Sequence, residues 1–272
     1  MDGIQIYHKG NIQRGAVVFL HGSSLSALTF RKQFRTMDAF PMLAIDLPGH
    51  GLSDRATEPG ALYNIPAYAR MVAALISKLE LSDFILVGHS IGGNVAIEAS
   101  DLLPALRGLF LFNMSPFSLP PKLDKMCKPN PLLGYFLSGR LHLPEALMLA
   151  REMVPSNGHL AEELAGYILN TDHSARMGFA ASLGLEKFRD ETVLLGNFAK
   201  PLALVLGKKE RFTNPEYLDA IKPVSLWRNG IIKMEAGHVP QLEAPKKFNA
   251  LLEAFYRDVM GPEKGGGSGE VP

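Results

Sequence analysis

The sequence predicts an α/β protein: a mostly parallel sheet with helices on both faces, interrupted by a helical insertion. Three observations carry this. Short apolar runs recur at Ala16-Val17-Val18-Phe19-Leu20, Met42-Leu43-Ala44-Ile45, Phe84-Ile85-Leu86-Val87, Leu109-Phe110-Leu111-Phe112, Leu202-Ala203-Leu204-Val205-Leu206 and Ile231-Ile232-Lys233-Met234. Runs without polar alternation suit strands buried on both faces. Segments of helical spacing lie between them, and strand–helix alternation builds parallel sheets through crossovers. The rhythm then stops between residues 116 and 190, where prolines give way to helical text.

In order, Ile4-Gln5-Ile6-Tyr7-His8 alternates as an edge strand does. The second run ends in the small-residue loop His21-Gly22-Ser23-Ser24, with a helix expected over 29–37. The third ends in the loop Asp46-Leu47-Pro48-Gly49-His50-Gly51-Leu52-Ser53-Asp54. A helix is predicted over 64–79, where Val72, Leu75, Ile76 and Leu79 share a face and Pro66 sits in the tolerant first turn. Pro116, Pro120, Pro121, Pro129 and Pro131 prevent long regular structure, and helices follow over 144–154, 159–170 and 174–188. A closing amphipathic helix is expected over 246–258. The division that results is a core of 1–115 and 191–260, a helical cap of 116–190, and a tail of 261–272. Gly265-Gly266-Gly267-Ser268-Gly269 in that tail has the composition of a disordered linker, native or engineered.

Bulk properties narrow the function. At 272 residues with 47% hydrophobic residues, the chain can bury one large core. A formal net charge of +1 and no long basic run argue against nucleic acid as a partner. No stretch is long and apolar enough for a membrane span, and Met1-Asp2-Gly3-Ile4-Gln5 lacks the order of a signal peptide. One cysteine, Cys127, leaves neither an intrachain disulfide nor a multi-cysteine metal site. A cytoplasmic protein is the expectation. The sequence leaves the oligomeric state unknown.

The chemistry centres on Val87-Gly88-His89-Ser90-Ile91-Gly92-Gly93, a Gly-x-Ser-x-Gly turn between a strand-like run and the helix-like Asn94-Val95-Ala96-Ile97-Glu98-Ala99. A serine on such a turn is exposed by a strained backbone, and its neighbours two before and two after must be nearly side-chain-free. Its hydroxyl needs a base, and the base needs a third group to hold it. His238, in the loop Ala236-Gly237-His238-Val239-Pro240 past the last strand, is the expected base. Glu210, past the preceding strand, is the expected acid. The earlier strand ends in Asn113-Met114-Ser115, with no carboxylate. The backbone N–H groups of Ile91 and Ser23 are the expected oxyanion donors. His21, His50, His89 and Asp46 read as residues that fix loops around the site. No metal or organic cofactor is called for.

His21-Gly22, the run DLPGHGLSD at 46–54, GHSIGG at 88–93, Gly207-x-x-Glu210 and Gly237-His238 together resemble the α/β-hydrolase superfamily over residues 4–259. The resemblance implies the α/β-hydrolase fold, with the cap in that family's usual place after its sixth strand. Serine at the elbow, where epoxide hydrolases and dehalogenases of this fold carry aspartate, implies ester, lactone or related hydrolysis. Glu210 in place of the commoner aspartate, Leu226-Trp227, AGHVPQLEAP at 236–245 and the segment opening Ala175-Arg176-Met177 are similar to the N-acyl-homoserine lactonases of this fold. Ser23 stands where those lactonases are expected to carry asparagine.

The expected activity is therefore serine hydrolysis of an ester or lactone, with N-acyl-homoserine lactone as the specific substrate. A generic carboxylesterase and a hydrolase-fold small-molecule receptor are the alternatives. The expected partner is a small molecule with an apolar acyl group. Leu132, Leu133, Tyr135, Phe136, Leu137, Met148, Met153 and Phe179 are the cap residues expected over the site or in the cap's own core.

Overall fold

A computed structural model describes residues 3–185 and 188–261. Among the described residues seven strands form one sheet: β1 (Ile6–Lys9), β2 (Val17–Leu20), β3 (Met42–Ile45), β4 (Phe84–His89), β5 (Leu106–Phe112), β6 (Leu202–Gly207) and β7 (Ile232–Met234). Their order is β1-β3-β2-β4-β5-β6-β7, and only β1 runs antiparallel, against β3 at the edge. The unbroken apolar runs become β2 to β6, and every residue of β2, β3, β4 and β6 is buried. Alternating β1 stays half-exposed, as an edge strand must.

The helices are α1 (Arg31–Thr36), α2 (Pro59–Leu62), α3 (Ile65–Lys78), α4 (Ile91–Ala99), α5 (Leu123–Met126), α6 (Leu143–Met153), α7 (Gly158–Asn170), α8 (His173–Gly184), α9 (Glu191–Gly196), α10 (Pro215–Ala220), α11 (Pro240–Glu243) and α12 (Pro245–Met260). α3 begins where the Asn64 side chain accepts the Ala67 N–H at 2.9 Å. It packs with α4 on one sheet face, and α12 covers the other through Phe248, Leu252 and Phe255.

Chain order along the sheet reverses beside β2. From β4 the chain moves one way through β5 to β7, while β3 lies on β2's other side. Parallel neighbours β2 and β4, in register at Leu20 and Gly88, thus frame the crevice where such sheets bind ligands.

Five strands precede the inserted helices in this chain, so the insertion follows β5 where the resemblance counted six. The helix expected over 174–188 ends at Gly184, and residues 186–187 and the Gly/Ser-rich run at 265–269 lie outside the described residues. α6 and α7 share a core with Leu25, Phe212 and Val239 from the loops at the sheet's carboxyl end and with Leu242 of α11, so the insertion is packed onto the crevice. No described helix is long and apolar enough to cross a membrane.

Candidate active site

Ser90 sits between β4 and α4 with φ 51° and ψ −125°, a left-handed backbone that a side chain rarely adopts. Such a conformation costs about 1–3 kcal/mol and persists only where the surroundings over-determine it. Here Ser90 N–H donates to Phe112 O at 3.1 Å and Gly93 N–H donates to Ser90 O at 2.8 Å. A Cβ at Gly88 would come within 2.5 Å of Gly93 Cα, and one at Gly92 would strike the Leu20 carbonyl. The turn closes only with glycine at both places.

Glu210 and His238 come together from loops after β6 and β7. Glu210 Oε2 lies 2.6 Å from His238 Nδ1, with both residues buried. A carboxylate there makes Nδ1 the donor and leaves Nε2 free. The other oxygen, Oε1, accepts the N–H groups of Phe212 at 2.6 Å and Thr213 at 3.2 Å. Burial alone would raise the Glu210 carboxyl. The His238 imidazole and these two N–H donors outweigh it and hold the group below its ordinary range.

The loop carrying His238 is tied on several sides. His238 N–H donates to Met153 O at the end of α6, at 2.8 Å. Glu243 accepts Gly237 N–H and Val239 N–H, each at 3.0 Å. Asn113 bridges the last strands: its Nδ2 donates to Gly237 O and its Oδ1 accepts Gly207 N–H, both at 2.8 Å. That asparagine occupies the position where the sequence offered no carboxylate. Asn113 and Glu243 were not singled out from the sequence, and nothing local marks them, because their partners are backbone groups.

The loop-fixing residues behave as their types suggest. Asp46 accepts Ala27 N–H at 2.7 Å and Leu52 N–H at 2.9 Å. His21 donates through Nδ1 to Gly22 O at 2.8 Å and accepts Leu47 N–H at Nε2 at 2.9 Å. His50 packs on His21 with ring centres 5.1 Å apart.

Ser23, Ser90, Ile91 and His238 all line one cavity of about 170 Å³. Ile91 opens α4, so its N–H has no acceptor within the helix. The remaining wall is mostly apolar, including Phe117, Met126, Leu133, Phe136 and Phe179. Of the insertion residues expected there, Leu133, Phe136, Leu137 and Phe179 reach the cavity. Met153 instead lies in the core beneath α6 and α7, and Met148 is exposed. Among the described residues, no group of three or more His, Cys, Asp or Glu side chains could hold a metal ion.

A strained serine turn at the switch point of a parallel sheet, beside a buried histidine–carboxylate pair, is the plan of a nucleophile-elbow enzyme. Residues 17–251 match the alpha/beta hydrolase family, and the chain belongs to it. Structures of the N-acyl homoserine lactonase AidH are similar to it. That complexed with N-butanoyl homoserine superposes with a TM-score of 0.89 at 25% identity, covering 96% of this chain and 94% of that one. A putative aryl esterase from Burkholderia cenocepacia shares the fold, with a TM-score of 0.77 at 20% identity over 94% of this chain and 95% of that one. The pimeloyl-[acyl-carrier protein] methyl ester esterase of Stenotrophomonas maltophilia is 25% identical over 92% of this chain and 95% of its own length. The uncharacterized hydrolase YugF of Bacillus subtilis is 32% identical over 39% of each chain. Among the first curated relatives matched, the chain spans 39% to 56% of their length.

Proposed function

We propose that the protein is a serine hydrolase that cleaves a carboxylic ester or lactone, with N-acyl-homoserine lactone as the specific substrate. The observation that carries this is the 2.6 Å contact of Glu210 with His238 beside the strained Ser90, on the wall of an apolar cavity. Ser90 Oγ attacks the carbonyl carbon while His238 Nε2 takes its proton, and Glu210 stabilises the imidazolium. The N–H groups of Ile91 and Ser23 bind the oxyanion. His238 then gives the proton to the leaving oxygen. In a lactone that oxygen stays tethered to the acyl-enzyme. Water, deprotonated by His238, attacks the acyl carbon and restores Ser90 with release of the acid.

The acyl chain enters the cavity under residues 116–190, which act as the cap. The likeness to AidH structures, including one complexed with N-hexanoyl homoserine lactone at a TM-score of 0.88, favours the lactone. The esterase reading keeps the same residues and is favoured by the full-length match to a methyl ester esterase. The single cysteine fits work in a reducing cytoplasm.

The test is incubation with a long-chain N-acyl-homoserine lactone beside a p-nitrophenyl ester of similar chain length, followed by mass spectrometry. Rapid ring opening that is lost in Ser90→Ala supports the lactonase. Ester cleavage with the lactone intact moves the substrate to simple esters. Near-native turnover by Ser90→Ala would overturn the mechanism.

A further inference from the structure

The start of the insertion lies against the loop that carries Glu210 as a two-stranded clip. Lys128 N–H donates to Phe212 O at 2.8 Å and Asn214 N–H donates to Met126 O at 2.9 Å. Cys127 and Thr213 pair antiparallel between these bonds. Two side chains close the ends: Asn214 Nδ2 donates to Lys125 O at 2.8 Å, and Asn130 Nδ2 donates to Arg211 O at 3.3 Å. The Lys128 ammonium donates to the backbone carbonyl of Glu210 itself.

The clip therefore grips the residue whose carboxylate holds His238. It also holds Phe212 by its carbonyl and Thr213 by the bridge to Cys127, the two residues whose N–H groups aim that carboxylate. Yet Met126, Cys127, Phe212 and Thr213 are at the same time wall residues of the cavity. The Phe212 ring stands edge-on to His238 at 5.0 Å and to Phe136 at 5.2 Å. The clip and the acid's donors thus share residues with the cavity wall.

Resting on the serine-hydrolase reading above, we propose that Lys128 is a positioning residue for Glu210. We further propose that this clip makes acyl-chain occupancy of the cavity raise turnover as well as binding. Met126, Phe212 and Thr213 at the clip's centre are buried, but Lys128 is half-buried and Lys125 and Asn214 lie near solvent, so the clip's ends open at lower cost than its centre. A filled cavity packs Cys127 and Phe212 from the inside and holds the clip shut. Binding energy from the remote chain is thereby converted into alignment of the acid, and such energy is read in kcat.

The experiment follows kcat and KM separately for the full-length protein. It uses acyl series from acetyl to dodecanoyl, as p-nitrophenyl esters and as N-acyl-homoserine lactones, with fluorophosphonate labelling of Ser90 alongside. In the wild type, kcat is expected to rise about tenfold from the shortest to the best-fitting chain. Lys128→Met is expected to lower kcat about tenfold for the best chain and less than about threefold for acetyl. Its KM should stay within about twofold, and Lys128→Arg, which keeps a charged donor, should recover most of the loss. A wild-type kcat that ignores chain length while KM alone falls would overturn the proposal, whether or not Lys128→Met folds. An equal loss on every chain length in Lys128→Met would overturn it as well. If Ser90 takes no label and neither series is cleaved, the hydrolase reading falls and this assignment with it. Labelling and cleavage without the length dependence remove this assignment alone.

Discussion

His89 Nε2 donates to the backbone carbonyl of His238 at 2.7 Å, so the residue before the elbow serine holds the loop of the expected base. The accepting group is a carbonyl, which fixes the proton on Nε2 and leaves Nδ1 bare; Nδ1 is buried and has no partner among the described residues. The ring also stacks on Phe112 at 4.8 Å, nearly parallel. His89→Phe keeps the stacking but strips the donor from a buried carbonyl, which costs about 1–3 kcal/mol. Denaturant melts should show that loss, and kcat should fall about tenfold as His238 loses its register. A His89→Phe enzyme with native stability and turnover would show that the bond positions nothing.

Glu210→Gln tests the acid directly. Glutamine preserves size and can still accept from Phe212 and Thr213, so the fold should survive. It cannot stabilise an imidazolium, and its amide can present a donor to Nδ1, which favours the wrong tautomer. Turnover should drop about 10³–10⁴-fold with little change in KM. A loss below about tenfold would move the acid role to another carboxylate.

Much of this site was legible because its signals are local. The elbow shows as glycines two before and two after Ser90, following an apolar run, and the order serine, acid, histidine follows from loops at the ends of strands. Contacts that hold the site are between residues far apart in sequence and were not legible. Asn113 reaches Gly237 across 124 positions, and His89 reaches His238 across 149. The contact of Lys128 with Glu210 was not legible either, since only the fold of the insertion brings 125–130 against 210–214. The helix expected to run to 188 stops at Gly184, and Phe188 packs on Phe117 with ring centres 5.2 Å apart, a contact that apolar spacing alone does not separate from helical packing.

Three buried histidines predict the acid limb of stability. Burial first of all, opposed by its bond to Gly22, pushes His21 down from 6.5 to about 4. Burial, then the neighbouring His21, pushes His50 down to about 3. Burial, then the charge of His238, lowers His89. A group whose folded pKa is depressed contributes stability that is full above its unfolded value and lost as pH falls toward the folded one. The histidines' share of the unfolding free energy should be complete above about pH 6.5 and decline between there and about pH 4. His21→Gln should flatten that decline by up to about 1.4 kcal/mol per pH unit. Equal slopes in both proteins would show that His21 is not a contributor.

Arg176 on α8 is buried yet, among the described residues, meets no carboxylate at bonding distance. Its Nη2 donates to Gly139 O at 2.8 Å and its Nε to Ser138 O at 3.1 Å. Nη1 donates to Ile168 O at 3.2 Å and to Ser24 Oγ at 3.4 Å. One fork thus joins three parts of the insertion to the residue after Ser23. Lysine cannot reproduce a planar fork. Arg176→Lys should cost about 2–4 kcal/mol in urea unfolding, with turnover reduced as the loop of Ser23, the proposed oxyanion donor, loosens. A cost below about 0.5 kcal/mol, typical of a surface change, would show the fork to be dispensable.

Glu191 governs the opposite pH limb. It opens α9 fully buried, where Oε2 accepts Asn94 Nδ2 at 2.5 Å and Phe117 N–H at 2.9 Å. Oε1 has no partner among the described residues. Burial raises its carboxyl from 4.5 to about 8, the Asn94 and Phe117 donors offset part of this, and the charges of Glu98 and Asp190 add to it. The folded protein thus holds a neutral acid behind Asn94, itself a cavity-wall residue. A raised folded pKa contributes stability that is complete below about 4.5 and lost as pH rises through about 8. Glu191→Gln copies the neutral form at every pH. It should match the wild type near pH 4.5 and then gain on it by up to about 1.4 kcal/mol per pH unit, levelling off above about pH 8. Calorimetry of both proteins across that window decides it. A difference that stays constant with pH would mean that Glu191 is ionised in the folded protein throughout, and that Asn94 and the Phe117 N–H suffice to hold its charge.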